Sequence, residues 1–168
     1  MSLSKKTARL RRSRARELAH VGWREWVVLK DIGARVKAKI DTGARTSSLH
    51  AYDVEEFRRG KRKMVRFSVH PEQRNDKKSI DAEAPLVDYR NVRPSSGHVE
   101  LRPVVSTWIE VHGEAFEVEL TLTNRDQMGF RMLLGRQALR GRFLVDPARS
   151  FLSTSTRKRL VRRRGKPA

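Results

Sequence analysis

One short segment of this 168-residue chain has the composition of a catalytic loop. An alternating run that ends at Ile40 leads directly into Asp41-Thr42-Gly43, which places a carboxylate at the end of a predicted strand. Gly43 permits a tight turn whose amide N–H groups lie near the carboxylate, and the Thr42 hydroxyl can brace the loop. We therefore predict that Asp41 is catalytic and that Thr42 and Gly43 shape its loop. The same residues also fit an ordinary Asx-type turn after a strand.

The chemistry that suits this layout is peptide hydrolysis by two carboxylates, which share one proton and activate a water molecule. The chain contains one Asp-Thr-Gly sequence, so the second carboxylate has two candidate sources. A symmetric homodimer would supply a second Asp41 across its two-fold axis. A monomer would instead use another acid, for which Asp126 is the first candidate, although Asp126 equally fits a turn residue paired with an arginine. The sequence leaves both arrangements open.

Alternating apolar and polar residues predict the elements that position this loop. The clearest alternation occurs at residues 35–40, 65–69, 107–111 and 116–122, and each run predicts a strand with one buried face. His112-Gly113-Glu114 separates the last two runs and predicts a β-hairpin, and a short helix is predicted from Gly135 to Arg140. The predicted fold is all-β, mainly antiparallel and closed or nearly closed. The predicted core residues are Trp23, Trp26, Val36, Ile40, Phe67, Val69, Trp108, Phe116, Val118, Leu133 and Leu134.

A second motif lies far downstream of the first. Residues 130–139 combine an apolar strand, Gly135 and the start of the short helix. With Asp41-Thr42-Gly43, this motif resembles the retropepsin-like fold, in which a Leu-Leu-Gly-Arg strand lies beside the Asp-Thr-Gly loop. The chain is more closely similar to the family long labelled ATP-dependent zinc protease, the retropepsin-like peptidases that accompany an ATP-grasp glutamate ligase. The resemblance covers about residues 21–152 and rests on five blocks in one order: residues 41–51, 66–71, 121–126, 132–136 and 143–147.

This resemblance implies a closed, retropepsin-like β-barrel and an aspartic-type peptidase that hydrolyses oligoglutamate tails. It also implies that the ATP-grasp ligase adds these tails to a small-subunit ribosomal protein, so the tailed protein is the expected substrate and the ligase a functional partner. Arginine forks suit carboxylate recognition, although each arginine near the motifs also fits a surface or structural ion pair. The segment Tyr89–Leu101 is predicted to form a flap over the cleft. The predicted substrate-binding residues are Arg45, His98, Arg125, Arg131 and Arg136.

The zinc and ATP in the family label have no counterpart among the residues. The chain has no Cys and no His-Glu-x-x-His sequence, and its five histidines occur singly. It also has no Gly-x-x-x-x-Gly-Lys-Ser/Thr loop, so any ATP dependence would belong to the ligase. We therefore predict no metal and no cofactor. The lack of Cys also excludes a disulfide framework and a thiol nucleophile.

Positive charge is concentrated at the two ends of the chain. The formal net charge is +19, from 38 Lys and Arg against 19 Asp and Glu. Residues 1–16 and 153–168 each carry seven basic residues and no acid, so 14 of the 19 net charges lie there. We predict a basic tail over 1–20, disordered or helical when bound, a peptidase domain over 21–152 and a disordered basic tail over 153–168.

The basic tails support an alternative function. A non-catalytic retropepsin-like module would bind RNA or the ribosome through them, and such contact is also compatible with the peptidase. No apolar run reaches the length of a membrane span, and the N-terminus lacks the apolar region of a secretory signal. We therefore expect a cytoplasmic protein without a membrane partner.

Overall fold

The computed structural model describes residues 17–72, 75–93, 97–124 and 129–153. Most of both predicted tails lies outside these ranges. No helix in the described part of the chain is long and apolar enough to cross a membrane. The elements are β1 (Ala19–Gly22), β2 (Arg24–Leu29), β3 (Ala34–Asp41), β4 (Ser47–His50), β5 (Tyr52–Arg59), β6 (Arg62–Val69), β7 (Ile80–Val92), β8 (Glu100–Val111), β9 (Glu114–Thr123), β10 (Met132–Gly135), α1 (Arg136–Leu139) and β11 (Phe143–Asp146).

Six of the strands form a closed barrel, which confirms the predicted fold class. Neighbours around the barrel follow the order β2, β3, β10, β4, β9 and β8, and pairing of β2 with β8 closes the ring. The long strand β8 makes this closure possible, because it pairs with β7 near its start and with β2 at Ile109–Val111. Strands β7, β6 and β5 continue the sheet beyond the barrel, and β1 pairs separately with β11.

Strand β3 shows why these sequences form a barrel. Its even-numbered residues are small or branched and apolar, and all four are buried; the odd-numbered ones are Arg35, Lys37, Lys39 and Asp41, which lie on the outer face. Burial of the apolar face removes it from water, which is the main stabilising term in folding. The same alternation therefore places the Asp41 side chain outside the barrel core.

The predicted hairpin at His112-Gly113 is confirmed. Val111 lies opposite Glu114, which leaves a two-residue loop between β8 and β9. Both loop residues have positive φ, 52° for His112 and 78° for Gly113, as a type I′ hairpin turn requires. The short helix is also confirmed, at Arg136–Leu139.

Most strand pairs are antiparallel, as predicted, but three parallel pairs have no local signal in the sequence. Strand β10 lies between β3 and β4, parallel to the first and antiparallel to the second. Strand β4 is parallel to β9, and β1 is parallel to β11. These pairings join segments that are distant in the chain and bring the two predicted motifs together.

The predicted core is correct except for its tryptophans and Leu133. Trp108 is 47% exposed, because its neighbours Thr107 and Ile109 point into the core and Trp108 points to the opposite face of β8. Trp23, Trp26 and Leu133 are half-buried. Trp26, Trp108 and Leu133 lie at strand positions whose side chains alternate away from the core, and Trp23 lies between β1 and β2. The other predicted core residues are buried: Val36, Ile40, Phe67, Val69, Phe116, Val118 and Leu134.

Candidate active site

The Asp41 carboxylate is held by the turn that follows β3. Its Oδ1 accepts hydrogen bonds from the Gly43 N–H at 2.9 Å and the Ala44 N–H at 3.1 Å. Its Oδ2 lies 3.9 Å from the Lys39 ammonium group, and the Asp41 side chain is 26% exposed. Two backbone donors therefore fix one oxygen, while the carboxylate stays accessible to solvent. This is Asx-type turn geometry.

The second motif braces this turn from the neighbouring strand. Gly135 lies opposite Asp41 in the parallel pairing of β10 with β3. The Gly135 N–H donates to the buried Ser47 hydroxyl at 3.0 Å, and the Arg136 N–H donates to the Ala44 carbonyl at 2.9 Å. A β-carbon at Gly135 would lie only 2.5 Å from the carbonyl oxygen of Thr46. Glycine is therefore required where β10 passes the loop.

Arg136 contributes a further brace through its side chain. Its Nη1 donates to the Thr42 carbonyl at 2.8 Å and the Gly43 carbonyl at 2.9 Å. A guanidinium group offers several donors in a fixed plane, so one side chain can hold two consecutive carbonyls. The structure thus gives Arg136 a loop-positioning contact, whereas its predicted contact with substrate stays a prediction.

The other predicted substrate-binding residues have different surroundings. Arg45 is exposed on the loop that follows Asp41, and its carbonyl accepts the Gln137 N–H at 3.1 Å. Arg131 is buried and forms an ion pair with Asp76, which is the kind of contact considered as the alternative for each arginine. Its predicted contact with substrate stays a prediction. His98 is exposed between β7 and β8. Arg125 and Asp126 lie outside the described residues.

The described ends of the predicted flap are paired strands. Within the segment Tyr89–Leu101, residues 89–92 belong to β7 and residues 100–101 to β8, and Val92 lies opposite Glu100. The Tyr89 hydroxyl donates to the Glu56 carboxylate at 2.6 Å, and this bond lowers the pKa of Glu56 and raises the pKa of Tyr89. This bond ties β7 to β5.

A shallow groove lies along β10 and β4. Across the sheet, Lys39 lies opposite Leu133 in β10, and Leu133 lies opposite Ser48 in β4. These partners share the face of the sheet that carries the Asp41 side chain. The residues that line the groove are Ser48, His50, Thr123, Phe130, Arg131, Met132 and Leu133.

Lys39 and Ser47 are residues of this site that the sequence reasoning missed. Lys39 had a usable signal, because it lies two residues before Asp41 in an alternating strand and must share its face. Ser47 had none, because its bond to Gly135 joins residues 88 positions apart. Among the residues that the structure describes, no three His, Cys, Asp or Glu side chains converge as metal ligands would.

Comparison with known proteins places the chain in a family. Residues 20–156 match the family model of the RimB-like proteins, described as retropepsin-like aspartic endopeptidase RimB, and the chain belongs to this family. A crystal structure of a protein of unknown function from Legionella pneumophila has the same fold, with a TM-score of 0.71 at 29% identity. That likeness covers 82% of this chain and 99% of the Legionella chain. The predicted retropepsin-like family is thereby confirmed.

Curated relatives carry a different name. The chain is 46% identical over 132 residues to a probable alpha-L-glutamate ligase of Shewanella halifaxensis, and 46% identical over 128 residues to one of Parasynechococcus marenigrum. These matches cover 78% and 76% of this chain but 29% and 28% of the relatives. The chain therefore spans less than a third of the length of these ligases.

Proposed function

We propose that this chain is an aspartic-type peptidase that hydrolyses peptide bonds in oligoglutamate tails on a small-subunit ribosomal protein. The observation that carries the proposal is the Asp41 carboxylate, fixed through Oδ1 by two backbone N–H groups and accessible at the end of β3. Membership of an aspartic endopeptidase family supports the reaction type. The exposed Arg45 on the same loop supports an acidic substrate.

The substrate class is supported by the ligase relatives. Their name describes the addition of glutamate, and a domain like this chain makes up less than a third of each. A hydrolase domain joined to a ligase in one polypeptide is well placed to act on the bond that the ligase forms. We extend this relation to the present chain, with an ATP-grasp glutamate ligase as its functional partner in the cytoplasm.

In the proposed mechanism, Asp41 accepts a proton from a water molecule as the water oxygen attacks the carbonyl carbon of a glutamyl peptide bond. A C–O bond forms, and the C–N bond then breaks as a proton is delivered to the leaving amine. The second carboxylate holds the shared proton that this cycle needs. We propose the partner subunit's Asp41 for that role, and Asp126 is the alternative within one chain.

The test of the reaction uses the purified full chain with a glutamate-tailed protein and its untailed form. We expect loss of glutamates from the tailed form only, read by mass, with the same rate in the presence of a chelator. Cleavage of both forms would contradict the substrate class, and loss of activity with the chelator would contradict the metal-free mechanism. The alternative of a non-catalytic module is supported by the charge of the tails alone. It predicts that neither form is cleaved, that the chain binds the ribosome, and that a chain without its tails loses this binding.

Mixing wild type with the Asp41→Asn variant tests the homodimer. If two copies of Asp41 form one site, each mixed dimer lacks one carboxylate. Activity would then fall as the square of the wild-type fraction after subunit exchange. A linear fall, with a monomeric mass at all concentrations, would instead assign the second carboxylate to the same chain.

A further inference from the structure

The outer surface of the β2–β3 pair carries a row of cations that ends at Asp41. Strand β3 contributes Arg35, Lys37 and Lys39 to this face, and β2 contributes Arg24 and Trp26. The pairing places Arg24 opposite Lys39 and Trp26 opposite Lys37. We call this surface the β2–β3 basic face; it belongs to the barrel and not to the basic tails.

The cations of the basic face lack the acidic partners found elsewhere on the protein. On the β5–β7 sheet, Arg59 and Arg66 both bind Glu83, and this contact lowers the pKa of Glu83. On the basic face, the carboxylate nearest to a cation is Asp41 itself, 3.9 Å from Lys39. The other three cations have no carboxylate within 4.0 Å among the described residues. Their positive charge is therefore left for an external anion.

Aromatic rings hold these cations in place. The Arg35 guanidinium lies 4.4 Å from the centre of the Trp26 ring, and the Lys37 ammonium lies 5.2 Å from it. The Arg24 guanidinium lies 5.0 Å from the ring of Phe151, which packs against Trp26 at 5.9 Å. Cations seated on ring faces lose less conformational freedom when an anion binds.

The spacing of the cations suits an extended acidic peptide. Residues two apart on a strand lie about 7 Å apart on one face, so the row from Arg35 to Asp41 is about 20 Å long. An extended chain of glutamates repeats its side chains at the same spacing and would cover the row with about six residues. Leu133 and Ser48 lie across the sheet from Lys39 and line the groove described above, so the groove adjoins the row.

We infer that the β2–β3 basic face binds the acidic chain of the substrate and leads it to Asp41. This inference rests on the proposed function and adds the surface that selects the substrate. A polyanionic nucleic acid has similar charge spacing, but the row ends at a carboxylate in the fold of a peptidase family. A glutamate chain also brings peptide bonds to that carboxylate, whereas nucleic acid has none.

The experiment compares two double variants of the full chain with equal loss of charge. Arg35→Gln/Lys37→Gln removes two cations of the basic face and keeps long side chains, and Lys61→Gln/Arg62→Gln removes two exposed cations at the β5–β6 turn. Binding of a fluorescent decaglutamate peptide is measured by anisotropy at several salt concentrations. Circular dichroism checks that both variants are folded.

The inference predicts that Arg35→Gln/Lys37→Gln raises the Kd for decaglutamate about tenfold, with a weaker salt dependence. The β5–β6 control should stay within about twofold of wild type. Equal weakening in both variants, or no weakening in either, would overturn the inference. The inference would also be overturned, in favour of RNA, if the wild type bound decauridylate more tightly than decaglutamate and Arg35→Gln/Lys37→Gln lost that binding.

Cleavage kinetics separate this inference from the proposed function. If wild type trims a glutamate-tailed protein, Arg35→Gln/Lys37→Gln should raise KM and leave kcat within about twofold. Unchanged KM would overturn the basic face while the peptidase stands. If wild type trims nothing, the proposed function fails, and the binding comparison still decides whether the face takes an acidic peptide.

Discussion

The contact between Gly135 and the Asp41 loop gives a quantitative prediction. In the variant Gly135→Ala, the added β-carbon would lie 2.5 Å from the Thr46 carbonyl oxygen, 2.7 Å from its carbon and 3.0 Å from the Ala44 oxygen. All three atoms belong to the backbone, so no side-chain rotation relieves the clash. The loop must move away from β10.

The size of this movement follows from the contact distances. Ordinary contacts of a β-carbon begin near 3.4 Å, so the Thr46 carbonyl must shift by about 0.9 Å. Overpacking of this kind costs about 1–3 kcal/mol of unfolding free energy. The shift also strains the 2.9 Å bond from the Arg136 N–H to the Ala44 carbonyl. A displacement near 1 Å at a catalytic group can lower the rate about hundredfold.

The assay combines urea unfolding with trimming of a glutamate-tailed protein. The matched control is Gly60→Ala, where φ is +62° and nothing lies within 4 Å of the added β-carbon. This control costs about 1–2 kcal/mol through left-handed backbone strain, at a turn that no part of the mechanism uses. Gly135→Ala should therefore lose stability and activity, whereas Gly60→Ala should lose stability alone.

Two results would refute this reasoning. Wild-type stability and activity in Gly135→Ala would show that β10 does not hold the loop in the described position. An equal loss of activity in Gly60→Ala would show that lower stability, and not loop displacement, explains the effect. A crystal structure of Gly135→Ala would then locate the error.

Three further predictions concern the surrounding structure. Glu25→Ala removes a buried carboxylate that accepts hydrogen bonds from the Gly22 and Leu152 N–H groups, each at 2.8 Å. The free energy of unfolding, measured by urea titration, should fall by about 2–6 kcal/mol. A loss below about 1 kcal/mol would contradict the burial of this carboxylate. Arg59→Ala should raise the pKa of Glu83 toward its usual value in an NMR titration, since hydrogen bonds from arginine lower it. Ionised Glu83 stabilises the fold above the pKa that it has in the unfolded chain, and this stabilisation is lost as the pH falls through its lower pKa in the folded protein. An unchanged pKa of Glu83 in Arg59→Ala would contradict the contact between Arg59 and Glu83. Trp108→Thr should change the free energy of unfolding by less than about 1 kcal/mol, because Trp108 is 47% exposed. A loss of about 3 kcal/mol or more, measured by thermal unfolding, would contradict its outward position.

The strands with clear alternation, which are β3, β6, β9 and the end of β8, and the turn after β3 were predictable from the sequence because their signals are local. The alternation of β3 determines both the buried face and the outward direction of Asp41. The β8–β9 hairpin follows from two alternating runs around His112-Gly113. Residues a few positions apart carry all of this information.

The closure of the barrel and the bracing of the site were not predictable in the same way. Strand β10 has four residues, and nothing in them indicates insertion between β3 and β4. The bond from Gly135 to Ser47 and the paired carbonyl contacts of Arg136 depend on that insertion. Arg131 shows the same limit, because its place in the second motif did not reveal its ion pair with Asp76. Tertiary partners, and not residue type, separate a substrate-binding arginine from a structural one.

The most direct test of the central claim is the trimming rate of Asp41→Asn on a glutamate-tailed protein. Asparagine keeps an Oδ1 acceptor for the Gly43 and Ala44 N–H groups, so the loop should keep its shape while the proton-accepting carboxylate is lost. We predict a rate at least about a hundredfold below wild type, with unfolding free energy within about 1 kcal/mol. A folded Asp41→Asn protein that trims the tail at the wild-type rate would contradict the assignment of Asp41 as the catalytic carboxylate.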